Sequence, residues 1–143
     1  MKKVDLNFGV FELHPQIVIG NMNEGIHYDI FKNKALIKLI DQYYGKIKPL
    51  SYICIRDKSY SIDPMVHAHN KKFENLCSIA IVERKANTRS TVSIESKFFK
   101  PGKFCKFQSV TDAILWANHQ VALRNLELAS LNNLNQSAIF QTF

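Results

Sequence analysis

Hydrophobic and polar positions along this chain change period several times, and each change marks an element. Residues 6–14 alternate, with Leu6, Phe8, Val10 and then Glu12 on one side, and their Phe and Val residues favour extended backbone, which predicts a first strand. Pro15 and Gln16 interrupt it. Residues 17–22 form a second apolar run that ends ahead of Gly25, so the pair reads as a hairpin with the first strand as an antiparallel edge. From Asp29 to Tyr44 the spacing becomes helical: Leu36, Leu39, Ile40 and Tyr43 share a face, while Lys32, Lys34, Lys38 and Asp41 lie elsewhere. Asp29 is placed to cap the first free amides of this helix, and Gly45 to end it in a left-handed conformation.

Residues 50–55 and 76–83 are short, continuous apolar runs, as central strands covered on both faces require. The first gives way to the polar loop 56–63. Pro64 then starts a helix over 64–75, because its missing amide proton costs nothing at the first helical position. After the second run and the basic loop 84–90 comes a helix over 91–99, with Ile94 and Phe98 one turn apart and Pro101-Gly102 closing it. Residues 103–107 read as a lysine-bearing edge strand. Ser109 then caps a final helix whose stripe is Val110, Ala113, Ile114, Ala117 and Val121. Beyond Asn125 the asparagines weaken the helical signal, so 129–143 reads as a tail, partly helical or disordered, behind a single domain over 1–128. The expected fold is α/β: a mixed, mostly parallel sheet of about five strands with helices packed on it.

Composition supports one compact domain: 143 residues, 46% hydrophobic and 22% charged. No apolar run has the roughly 18 residues of a membrane span, and the opening residues meet charge before any stretch suited to a signal peptide, so a cytoplasmic setting is expected. Cys54, Cys77 and Cys105, odd in number and each among apolar or β-forming neighbours, read as buried free thiols.

Charge is unevenly placed. The first 45 residues balance five lysines against five acids, whereas 84–106 holds seven bases and one acid, Glu95. That excess provides either a solvated surface or a seat for an acidic group, with Arg84, Lys85 and Arg89 as the candidate anion-binding residues. Nucleic acid is the weaker match, because Phe98, Phe99, Phe104 and Phe107 have core spacing instead of forming a stacking platform. His67 and His69 would point about 200° apart on a helix and cannot chelate together, so no metal is expected. No Gly-x-Ser-x-Gly elbow and no phosphate-cradling glycine loop occurs, which ranks enzyme readings low and implies no cofactor.

Three stretches resemble the SpoIIAA-like branch of the STAS-type fold, a group of small bacterial domains that are similar in turn to CRAL-TRIO lipid-transfer domains. They are residues 20–25 ahead of the first helix, residues 52–64 (Tyr-Ile-Cys-Ile-Arg-Asp-Lys-Ser-Tyr-Ser-Ile-Asp-Pro), and Lys97-Phe98-Phe99 before the Trp116-bearing helix. The resemblance spans about residues 8–122 and implies a regulatory module. In the anti-sigma-factor antagonists of this fold a kinase modifies a serine in the turn after a central strand, and Ser59 and Ser61 lie in the matching turn. A phosphate there would add about −1.5 to −2 charge beside a helix N-terminus. The simpler role for Ser61 or Asp63 is to cap the following helix.

Two functions follow as expectations. The first is a non-enzymatic regulatory or protein-binding module that docks an unidentified protein partner through Arg56, Ser59, Tyr60, Ser61 and Asp63. The second is a carrier or sensor of a small lipophilic or anionic ligand, whose acidic end meets the basic stretch. The hydrophobic tail would also serve a homodimer.

Overall fold

The structure, a computed structural model, describes residues 1–85 and 89–142. A six-stranded mixed sheet runs through it in chain order: β1 (Lys2–Asp5), β2 (Gly9–Leu13), β3 (Ile17–Met22), β5 (Leu50–Ile55), β7 (Leu76–Val82) and β8 (Phe104–Phe107). β2 pairs antiparallel with both β1 and β3, and β3, β5, β7 and β8 are parallel. Two-residue strands β4 (His27–Tyr28) and β6 (Ser61–Ile62) form a separate parallel pair. Helices α1 (Ile30–Tyr44), α2 (Val66–Asn70) and α3 (Val92–Ser96) lie over one face, and α4 (Val110–Thr142) over the other. The fold is therefore the expected α/β class, with one more strand in its main sheet.

The two faces follow from the period of two along each strand. Leu50, Tyr52 and Cys54 of β5, with Ile79 and Ile81 of β7, join Leu36 and Ile40 of α1 in one core. Ile53 and Ile55, with Ala80 and Val82, meet Ala113 and Ala117 of α4 in the other. Every residue of β5 and β7 is buried, which is why both read as unbroken apolar runs. The caps are as the sequence signals them: the Asp29 carboxylate accepts from Lys32 N at 3.0 Å, Gly45 has φ +78°, and Ser109 Oγ accepts from Asp112 N at 3.1 Å.

Several expectations need correction. The alternating segment 6–14 is not one strand: Asn7, at φ +73°, turns the chain between β1 and β2, and β1 takes the edge. The inward side of β2 is Phe11 and Leu13, so the face is the reverse of the one that Leu6, Phe8 and Val10 indicate. Phe8 still packs on that core, from the turn. In α1 the buried positions are Asn33, Leu36 and Ile40, while Tyr43 turns outward. Helix α2 is a single short turn ending at Asn70 in place of a helix over 64–75. In and after α3 the buried stripe is Val92, Glu95 and Phe99, and Ile94 is exposed. Cys54 and Cys77 are buried free thiols, but Cys105 is only half-buried. The segment read as a tail continues α4 without interruption to Thr142, with Leu126, Leu131 and Leu134 exposed along it. Among the described residues no helix is long and apolar enough to cross a membrane.

Candidate functional site

Parallel strands deliver their next residues to one edge, and here β5 and β7 deliver Arg56 and Glu83. Ile55 pairs with Val82, and Arg56 N donates to Val82 O at 2.9 Å, so the two charged residues leave the sheet side by side. The chain after Arg56 does not wander. Gly25 N donates to Ser59 O at 2.8 Å, Ser61 N to Ile26 O and Asp63 N to Tyr28 O, both at 3.0 Å, so the β4–β6 pair fixes the loop along its length. Ser61 Oγ also lies 2.7 Å from His27 Nδ1.

The floor beneath this loop is a buried ionic cluster. Glu95, fully buried on α3, accepts from both terminal nitrogens of Arg56 at 2.6 and 2.5 Å, from Thr91 Oγ1 at 2.8 Å, and lies 2.8 Å from His67 Nε2. Burial alone would raise its carboxyl pKa; the hydrogen bonds from Arg56, His67 and Thr91 outweigh that and hold it at about 2. Arg56 is in turn kept cationic: burial opposes its charge, and Glu95 more than restores it. Its remaining Nε donates to Tyr60 Oη at 3.2 Å, and that hydroxyl lies 3.2 Å from Cys54 Sγ. Burial first, and Cys54 next, push the Tyr60 phenol well above its ordinary value, so it stays neutral. On its other side His67 contacts Asn70, which accepts from Asn33 at 2.8 Å, and Asn33 accepts from Tyr28 Oη at 2.9 Å. One polar chain thus links α1, α2, α3 and the end of β5 inside the core.

This cluster gives stability a definite acid limit. The folded carboxyl of Glu95 ionises near 2 and the free group near 4.5, so its contribution is complete above about 4.5 and is lost as pH falls toward 2. Denaturant titrations at pH 7, 4 and 2.5 should show unfolding free energy falling mainly below pH 4.5, with a smaller fall in Glu95→Gln; equal acid sensitivity in both would contradict this assignment.

Above the floor lies a groove of about 540 Å³. Asp57, Lys58, Ser59, Tyr60, Ser61 and Ile62 line it together with Glu83, Lys85, Arg89 and Thr91. Both sets of sequence-predicted residues therefore meet at one place, with three exceptions. Arg56 lines the groove, but its guanidinium is committed to Glu95 and Tyr60. Asp63 is outside the groove, where its Oδ1 accepts from Met65 N at 3.0 Å and caps the turn into α2. Arg84 is outside it too, its Nε 3.4 Å from Asp57 Oδ1. Much of the downstream basic excess is likewise structural: Lys100 Nζ donates to the carbonyls of Phe73 and Leu76, and Lys103 Nζ to Gln120 Oε1. Among the described residues no group of three or more His, Cys, Asp or Glu is placed to hold a metal. His67 and His69 diverge as their spacing requires, one to Glu95 and the other to Asn33.

Sequence reading missed Glu95, His67 and Glu83 as site residues. For Glu95 a signal was present: it is the lone acid in the basic stretch and occupies the helical stripe between Val92 and Phe99. A carboxylate on a buried stripe needs a cation nearby. Comparison with protein-family models, curated proteins and solved structures finds no match to this chain.

Proposed function

We propose that this protein is a non-enzymatic binding module, of the STAS-like kind in its order of strands and helices, whose groove at the carboxyl edge of β5 and β7 receives an anionic ligand. The observation that carries the reading is the convergence of Lys58, Lys85 and Arg89, from two loops separate in sequence, on one groove of about 540 Å³. That volume is within the range of small-molecule sites, and the carboxyl ends of parallel strands are where open α/β sheets bind their ligands. The hydroxyl of Ser59 in the same wall supplies a donor suited to a phosphate or carboxylate. The buried Arg56–Glu95 pair neutralises itself and holds the loop, and among the remaining charges of the lining the three cations Lys58, Lys85 and Arg89 outnumber the two acids Asp57 and Glu83. The polar groups of the floor are engaged with one another, which favours binding over chemistry.

A protein partner remains the second reading, on the same surface. Met65, 53% exposed just after the loop, offers an apolar contact beside an acidic segment seated in the groove.

Titration calorimetry with ethyl phosphate at low ionic strength tests the first reading. Wild type should bind, with affinity falling as salt rises, and the triple variant Lys58→Gln, Lys85→Gln, Arg89→Gln should lose at least about tenfold while its thermal midpoint stays within a few degrees. Absence of binding, or equal binding by the triple variant, would overturn it.

A further inference from the structure

We infer that the ligand of this groove carries a hydrogen-bond donor, an ammonium or amide N–H, as well as its negative charge; this rests on the anionic reading above. The carrier of the inference is Glu83. It is a residue of the groove, only 4% exposed, and its Oε1 accepts from Ser90 Oγ at 2.8 Å. Its Oε2 is buried with no hydrogen-bond partner. Lys106 Nζ stands 3.9 Å from it, close enough for ion pairing and too far for a hydrogen bond.

A buried carboxylate oxygen without a donor is costly, of the order of a lost charged hydrogen bond. The hydrogen bond from Ser90 accounts for Oε1 but leaves Oε2 with only the distant charge of Lys106. Glu83 follows the last residue of β7, on the same side as Ile81, where an apolar residue would continue the core. Of the two acids in the wall besides the buried cluster, Asp57 pairs with Arg84, whereas Glu83 keeps a carboxylate oxygen without a donor, and a simple anion bound beside Lys58, Lys85 and Arg89 would be repelled by it. The combination of several cations and one unpaired buried acceptor in a single groove is complementary to a zwitterion or an amide-bearing acid: negative group on the cations, donor on Glu83. Such an acceptor discriminates strongly, since a ligand lacking the donor leaves the carboxylate unpaired.

Two probes isolate the claim: ethyl phosphate, and phosphoethanolamine, which adds an ammonium to the same phosphate ester. Wild type should bind phosphoethanolamine at least about tenfold more tightly at equal ionic strength. Glu83→Gln should remove that preference, so that the two probes bind it within about twofold of each other, and Glu83→Asp should recover part of it. If both probes bind wild type equally, or if Glu83→Gln keeps the preference, the donor requirement is wrong and the anionic groove stands. If neither probe binds, the anionic reading itself fails.

Discussion

Replacing Glu95 with alanine should lower unfolding free energy by about 3–5 kcal/mol at pH 7, the largest single effect expected in this molecule. The loss comes less from the contact removed than from what stays behind. Arg56, its side chain only 12% exposed, would keep a charge with no counter-ion, and His67 and Thr91 would each lose their acceptor. The double variant Arg56→Met, Glu95→Leu removes both charges and should be markedly more stable than Glu95→Ala alone, because desolvation of the pair no longer has to be offset. Urea denaturation of wild type, Arg56→Met, Glu95→Leu and the double variant gives the coupling directly, with Glu95→Ala measured beside them. A cost under about 1 kcal/mol for Glu95→Ala would mean that the cluster is not the buried ionic floor described above.

Gly20→Ala should be the second largest, at about 1–3 kcal/mol, for a reason of space alone. Gly20 sits on β3 between Phe11 of β2 and Cys54 of β5. A methyl group there would meet Phe11 Cε1 at 2.8 Å and the Tyr52 hydroxyl closer still. Neither neighbour moves easily: Phe11 is fully buried, and Tyr52 is packed in the same core. The Tyr52 hydroxyl has no hydrogen-bond partner, so Tyr52→Phe should be neutral or slightly stabilising, and in the Gly20→Ala background it should return part of the loss. Thermal melts of the three variants measure this. If Gly20→Ala melts with wild type, the close packing of β2, β3 and β5 is not as described.

Elements whose period and terminal residues agree were legible in the sequence. Helix α1 is set by its stripe and by Asp29 and Gly45, and β5 and β7 by apolar runs that only a doubly covered strand needs. Where the signal was a short alternation, the face was ambiguous by one residue: Leu6, Phe8 and Val10 alternate as well as Phe11 and Leu13 do, and the positive φ of Asn7 that separates them carries no periodic mark. The same slip in α3 favoured Ile94 over Val92 and Glu95, because an apolar residue was preferred to a charged one on a buried stripe. The candidate site was half visible. Loop 56–63 and the basic loop were both singled out, but their meeting depends on β5 and β7 being neighbours and on the β4–β6 pair, too short to leave a pattern. The persistence of α4 past its asparagines was not legible, since helix propensity there is weak residue by residue.

The central claim is that these two loops form one anion-binding groove. Amide chemical shifts recorded during an ethyl phosphate titration test it most directly: shifts should concentrate at residues 58–62 together with Lys85, Arg89 and Ser90, saturate along a single curve, and vanish in the Lys58, Lys85 and Arg89 triple variant. Weak, unsaturating shifts scattered over lysines elsewhere, such as Lys34, Lys46 and Lys72, would contradict it.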